Sequence, residues 1–271
     1  MKNKNISVVM ATWFEDKPEW LNESISSITS QTIRPFEFII LIDGPIPELN
    51  LKTIQNHALK SNFIKIVKLK NNRGCFNARN KGIKMASGEY IAIMDADDIS
   101  MPNRLEEQIQ ELHKHKADIV FSTQNEFYDR SNNFAGYKSC PRYHEDILKQ
   151  ILFRNLLPDP SIFAKSKVLK KNPYELIKFG SDHKLFLKLA LDGYKFYCIQ
   201  KPLIKVRITY EQRQRRGGGI RQISEDIKLR VWMKRNNLIN LTQFFLYSFV
   251  FIVFRIIPPS FKDFIYKYIL R

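Results

Sequence analysis

The sequence predicts an α/β protein whose central sheet is mostly parallel and flanked by helices. Three observations carry that prediction. Short β-branched apolar runs recur at Ile6–Met10, Phe38–Ile42, Ile64–Leu69, Tyr90–Met94 and Ala117–Phe121. The stretches between them place apolar residues near helical spacing. The runs are also apolar at successive positions, as expected of strands covered on both faces, where a half-exposed strand would alternate. Strand, helix and strand in this order form βαβαβ, the start of an open sheet with crossover helices.

The elements follow in turn. Ile6-Ser-Val-Val-Met10 is the first strand; a basic flank and a brief apolar run before Glu15 and Asp16 do not make a secretory signal. Pro18 to Gln31 sets Trp20, Leu21, Ile25 and Ile28 on one helical face. A helix over Asn77–Ala86 is stopped by Ser87-Gly88, and the strand from Tyr90 runs straight into Asp95-Ala-Asp-Asp98. Those carboxylates therefore stand at the carboxyl end of a strand, the ligand edge of open α/β sheets. Pro102–Lys116 reads as a helix with Leu105, Ile109 and Leu112 inward, followed by the Ala117 strand. The region from 125 to 180 reads as irregular, broken by Pro141, Pro158, Pro160 and Pro173. A helix over Ser181–Asp192 then carries Asp182 in its first turn.

A chain of 271 residues, 44% hydrophobic and 26% charged, can bury a sizeable core, which excludes disorder and collagen. The net charge of +17 predicts attraction to polyanions, whether nucleic acid, anionic membrane or phosphorylated substrate. Cys75, Cys140 and Cys198 are widely spaced and odd in number, so they are expected to be reduced thiols of a cytosolic protein. Beyond Tyr210 the chain carries twelve Lys and Arg against four acidic residues. Inside that tail an uncharged run from Asn236 to Phe254 is too diluted by polar residues at its start to span a bilayer. It suits a helix lying in a membrane interface, the alternative being a helix packed on the domain.

Asp95, Asp97 and Asp98 form the strongest local signal. Three crowded carboxylates repel unless a cation sits among them, and hard oxygen ligands suit Mn2+ or Mg2+. The structural alternative is an Asp-rich turn capping the helix at Pro102.

The stretch Asn72-Arg-Gly-Cys-Phe-Asn-Ala-Arg-Asn-Lys-Gly to Asp98 resembles the signature of family 2 glycosyltransferases, in which an Ala-Arg-Asn helix precedes a metal-binding Asp-x-Asp. Ile6 to Thr12, Ser30-Gln-Thr32 and Asp43-Gly-Pro45 are similar to the family's other nucleotide-site elements. The resemblance implies a GT-A fold, a nucleotide-diphospho-sugar donor, most commonly a UDP-sugar, and inversion at the anomeric carbon. It implies that Thr12, Asp43 and Arg79 line the nucleotide, that Asp95 holds the ribose side and that Asp97 ligates the metal. Ile42 and Phe14 depart from the family's common Asp and Asn. Gly180-Ser-Asp-His matches the motif that opens the family's base helix, with Ser181 in place of Glu, so Asp182 is the implied catalytic base and His183 the runner-up.

Gln212-Arg-Gln-Arg215-Arg216 before a triglycine is similar to an element that closes over the diphosphate, though the usual Trp is missing. Arginine forks suit diphosphate oxygens, while a solvated basic loop is the alternative. The tail is similar to that of bacterial O-antigen, capsule and exopolysaccharide transferases. Their acceptors are sugars on a polyprenyl diphosphate at the cytoplasmic face of the inner membrane, where a basic interfacial tail would attach peripherally. The expected organisation is a catalytic domain over 1–210 and a basic amphipathic tail over 211–271. A nucleic-acid-binding protein is the rival class, but no helix-turn-helix, finger or RNA-recognition signature is present. An inactive membrane-surface protein of the same fold is the third reading, opposed by the retained Asp95, Asp97 and Asp182.

Overall fold

The computed structural model describes residues 5–129, 134–177, 180–209 and 220–257. Its first half alternates strand and helix: β1 (Ile6–Thr12), α1 (Pro18–Thr29), β2 (Glu37–Asp43), α2 (Glu48–Lys60), β3 (Ile64–Leu69), α3 (Cys75–Met85) and β4 (Tyr90–Asp95). The short β5 (Ile99–Ser100), α4 (Arg104–Lys114) and the long β6 (Ile119–Tyr128) complete it. β3, β2, β1 and β4 are neighbours and all parallel.

The region expected to be irregular is not. It holds β7 (Phe134–Lys138), α5 (His144–Ile151), a 3-10 turn (Asp159–Ser161), β8 (Phe163–Lys165) and α6 (Ser166–Lys171). Of the prolines that read as breakers, Pro141 lies between β7 and α5, Pro158 precedes the 3-10 turn, Pro160 sits within it and Pro173 follows α6. β8 inserts antiparallel between β4 and β6, and α7 (Ser181–Leu191) leads to β9 (Phe196–Ile208), parallel to β6. The sheet is therefore mixed, in the order β3-β2-β1-β4-β8-β6-β9-β5, with β7 on β6.

Each central strand is buried on both faces, which explains the unbroken apolar runs. Val9, Ile39, Leu41, Ile91 and Ile93 belong to one core layer with Ala78 and Ile83 of α3; Val8, Met10, Ile40 and Met94 belong to the other with Leu21 and Ile25 of α1. α3 lies unusually close to the sheet at Gly82, where a Cβ would come within 2.5 Å of Leu41 Cδ1 and 2.6 Å of Val9 Cγ1. Both neighbours are fully buried, so Gly82→Ala is expected to cost about 1–3 kcal/mol of overpacking, outweighing the gain in helix propensity. Equilibrium urea unfolding checks this; an unchanged or higher midpoint would refute it.

Among the described residues two helices follow the sheet: α8 (Ile220–Arg235) and α9 (Leu241–Ile256). α8 ends in a Schellman turn, with Asn237 in the left-handed region (φ 57) and the N–H of Leu238 donating to Met233 O at 2.9 Å. Asn240 then caps α9 through a capping box with Gln243. The asparagines of the uncharged run thus separate two helices. No helix of the described residues is long and apolar enough to cross a membrane.

One expectation about the cysteines is corrected. Cys140 and Cys198 are joined as a disulfide, because Cys198 N–H donates to Arg142 O at 2.9 Å and draws the segment before α5 alongside β9, Cα to Cα 6.3 Å. Cys75 is free and exposed.

Candidate active site

The carboxyl ends of β1, β2 and β4 lie side by side, with Ala11 opposite Asp95 and Thr12 opposite Ile42, so Thr12, Asp43 and Asp95 share one sheet edge. Ser24 of α1 donates its hydroxyl to Asp95 O at 2.8 Å and pins the strand end. Beyond it, Asp95, Asp97 and Asp98 bring carboxylate oxygens within 4.8 Å of one another. All three donors are hard anionic oxygens, a set that fits Mn2+ or Mg2+.

The turn carrying these aspartates is braced from β9. Arg207, almost fully buried, donates its backbone N–H to Asp98 Oδ1 at 3.0 Å and its Nε to the carbonyl of Asp97 at 3.0 Å. The rest of its guanidinium binds Asp129 at 2.9 Å and Glu23. Its planar face lies over Phe127 at 4.7 Å and Trp20 at 5.1 Å. Gln31, from the Ser30-Gln-Thr32 motif, holds the next stretch by donating to Met101 O at 2.7 Å and accepting from Leu105 N–H at 3.1 Å.

Asp43 is buried, and its two oxygens accept the N–H groups of Arg73 (3.0 Å) and Gly74 (2.8 Å). It thereby shapes the turn that launches α3, where Gly74 takes φ 93. Thr12 donates to Asp16 Oδ2 at 2.7 Å, and Trp13 N–H reaches the same oxygen at 3.0 Å. Burial pushes the Asp16 carboxyl up from its ordinary range.

From α3 the Ala-Arg-Asn motif divides its labour. Ala78 packs on the sheet, Asn80 clamps both backbone groups of Tyr174 (2.7 and 2.9 Å), and Arg79 is buried with its two ends on Asp95 and Asp159. Burial opposes the charge on Arg79, but those two carboxylates outweigh it and hold the guanidinium ionised. Asp159 was not singled out by sequence. It sits between Pro158 and Pro160 with a side chain only 12% exposed, and Tyr174 Oη donates to it at 2.8 Å. Burial, with Asp182 and Asp95 adding to it against the opposing Arg79, pushes its carboxyl up to about 6. A lone carboxylate between two prolines was the only sequence signal. Behind the turn, Arg104 is fully buried and donates to Pro160 O at 3.0 Å and Ile93 O at 2.8 Å; burial lowers its guanidinium to about 10, still cationic at neutral pH.

Asp182 lies at the start of α7 and accepts from Asn155 Nδ2 at 2.6 Å. Asp182 of α7 and Asp95 of β4 both act electrostatically on Asp159. His183, next in the helix, is buried with Nε2 2.7 Å from Ile151 O. A ring nitrogen facing a carbonyl is the donor, so Nε2 carries the proton, and burial lowers the imidazole's basicity. Arg215 and Arg216 lie outside the described residues.

Residues 7–170, more than half of the chain, match the Glycosyl transferase family 2 pattern. The chain belongs to glycosyltransferase family 2. Thr12, Asp43, Arg79, Asp95, Asp97 and Asp159 fall within the matched segment, while Asp182 and Arg207 lie beyond it. Among relatives of this family 2 protein, an uncharacterized glycosyltransferase of Methanocaldococcus jannaschii is 33% identical over 94% of this chain and 90% of its own. The UDP-Gal:alpha-D-GlcNAc-diphosphoundecaprenol beta-1,3-galactosyltransferase of Escherichia coli is 29% identical over 98% of this chain and 96% of its own. An amylovoran biosynthesis glycosyltransferase of Erwinia amylovora is 26% identical, covering 96% and 97%. Among solved structures, S. aureus TarS residues 1–349 with UDP-GlcNAc superimposes with a TM-score of 0.61 at 18% identity, over 76% of this chain and 59% of that one. The Pyrobaculum calidifontis mannosyltransferase PcManGT, with GDP-Man and Mn2+, gives 0.57 at 16%, over 79% and 61%. The chain thus spans about three fifths of those solved chains, and the likeness establishes the GT-A fold.

Proposed function

We propose that this family 2 glycosyltransferase moves a hexose, with inversion, from a nucleotide-diphospho-sugar, a UDP-sugar by preference, to a sugar carried on a polyprenyl diphosphate in surface polysaccharide synthesis. The observation that carries the reading is the carboxylate arrangement: a three-aspartate cluster at the sheet edge, and a separate carboxylate, Asp182, presented from α7. In this reading Asp182 takes the proton of the acceptor hydroxyl, the acceptor oxygen bonds the anomeric carbon from the face opposite the diphosphate, and the bond to the diphosphate oxygen breaks. Asp97, with Asp95 and Asp98 beside it, would hold Mn2+ or Mg2+, which when bound offsets the charge developing on the leaving diphosphate. Thr12, Asp43 and Arg79 support the nucleotide side through the turn after β1, the turn before α3 and the carboxylate of Asp95; Arg215 and Arg216 are assigned to the diphosphate from sequence. The acceptor class is supported by the E. coli relative, whose name specifies a diphosphoundecaprenol-linked sugar. Incubation with UDP-glucose, UDP-galactose and UDP-GlcNAc, with and without MnCl2, tests this. Metal-dependent release of UDP from at least one donor, raised by a polyprenyl-diphosphate-linked acceptor, is the expected result; consumption of no nucleotide sugar overturns it.

The same reading assigns 1–210 to catalysis and 211–271 to attachment at the cytoplasmic membrane face. α9 supports it. Phe244, Tyr247 and Phe251 face inward, against the core, Phe153 and Arg230. Leu241, Phe245, Leu246, Phe249, Val253 and Ile256 cover the opposite half and are exposed. A mostly apolar helix with one half left open suits an interfacial position beside basic sequence that attracts anionic lipid. Full-length protein is expected to sediment with phosphatidylglycerol vesicles more than with phosphatidylcholine, less so at high salt, and the Phe245→Glu/Phe249→Glu variant to lose most of that binding. Wild-type protein left in the supernatant with both vesicles would refute the attachment.

A further inference from the structure

Asn155 has no place in the sequence signature, yet its side chain is fixed at both ends. Its Oδ1 accepts the N–H of Leu157 at 3.2 Å, and its Nδ2 donates to Asp182 Oδ2 at 2.6 Å. A backbone N–H can only donate, so Leu157 settles which end of the amide is oxygen and aims the NH2 at the carboxylate. The segment behind it is held in turn. Leu156 and Leu157 are buried, Ser161 donates to Pro158 O at 2.7 Å, and Gln108 Nε2 donates to Ser161 O at 2.6 Å. Four residues after Asn155, Asp159 engages Arg79, which engages Asp95.

We infer that Asn155 is a positioning residue for the transfer: it occupies one oxygen of Asp182, turns the other toward the acceptor hydroxyl, and ties the base to the donor-side carboxylate through a single short segment. This rests on the reading of Asp182 as the base. Among the described residues, Asp182 accepts from Asn155 and from no backbone N–H of its own helix, so its side chain is committed across the site and does not cap α7. A held carboxylate presents its reacting oxygen at a fixed distance, and a misplacement of about 1 Å costs up to 100-fold in rate.

Asn155→Ala and Asn155→Asp test this, assayed with the donor and metal that support turnover. Asn155→Asp keeps size and shape but sets a second carboxylate against Asp182. Both variants are expected to lower kcat about tenfold or more while donor KM stays within about twofold. The acidic limb of the kcat pH profile should move to higher pH, further in Asn155→Asp, because an added negative charge opposes ionisation of the base. Asp159, Tyr174 and His183 are the titratable groups facing Asp182, and all are unchanged in both variants. A role confined to folding would lower the melting temperature without moving the pH limb. If Asp182→Asn abolishes turnover while Asn155→Asp leaves kcat and its acidic limb in place, the positioning role falls and the base stands. If Asp182→Asn is itself fully active, both fall.

Discussion

Asp182→Asn is expected to lower kcat by about 100-fold or more at saturating donor and acceptor, with the fold intact. The reason lies in the partner. Asn155 presents an NH2 fixed by Leu157, so it demands an acceptor from residue 182. The substituted amide satisfies it with its own oxygen, which leaves its NH2 pointing where the acceptor hydroxyl should meet a base. The variant thus keeps the contact that positions the side chain, loses its basicity and offers the hydroxyl a donor. Melting temperature and donor affinity should stay near wild type, so the loss appears in kcat. Turnover near wild type would mean that His183 or another carboxylate takes the proton. His183, whose Nε2 is committed to the Ile151 carbonyl, could take it only at Nδ1.

What could be read from sequence was whatever is local. The parallel half of the sheet follows from β-branched runs and helical spacing, and its carboxylate edge follows from a strand ending in Asp95. Groups that meet across large separations could not be read that way. Arg207 braces Asp97 and Asp98 from more than a hundred residues away, and nothing in its own neighbourhood in sequence marks it. Asp159 lay in a stretch whose prolines suggested a loop. Those prolines flank and enter a short turn that Arg104 and Gln108 hold from behind, so the carboxylate is buried and fixed. Arg79 was recognisable by motif, but its commitment to two carboxylates was not, because the second arrives from the 3-10 turn. The disulfide is hidden for a like reason: its cysteines lie 58 positions apart, and contacts between the segment before α5 and β9, such as Arg142 with Cys198 and Gln200 with Cys140, draw them together.

Asp97→Ala is expected to remove metal-dependent turnover, by about 100-fold or more, while leaving the protein folded. Of the three clustered aspartates, Asp95 is answered by Arg79, and Asp98 accepts the Arg207 N–H. Arg207 holds residue 97 by its backbone carbonyl, a contact that alanine preserves. The turn should therefore stay in place, with thermal stability without metal close to wild type. What alanine removes is a hard oxygen ligand, and with it the charge offset for the leaving diphosphate, a contribution of several kcal/mol to the transition state. Two measurements separate this from a general loss of function. Mn2+ together with UDP should raise the melting temperature of wild type but not of the variant. Turnover of wild type should fall in EDTA to the level the variant shows with metal present. Full wild-type activity in excess EDTA would end the metal assignment, whatever the variant does, and would leave the three carboxylates as a turn braced by Arg79 and Arg207.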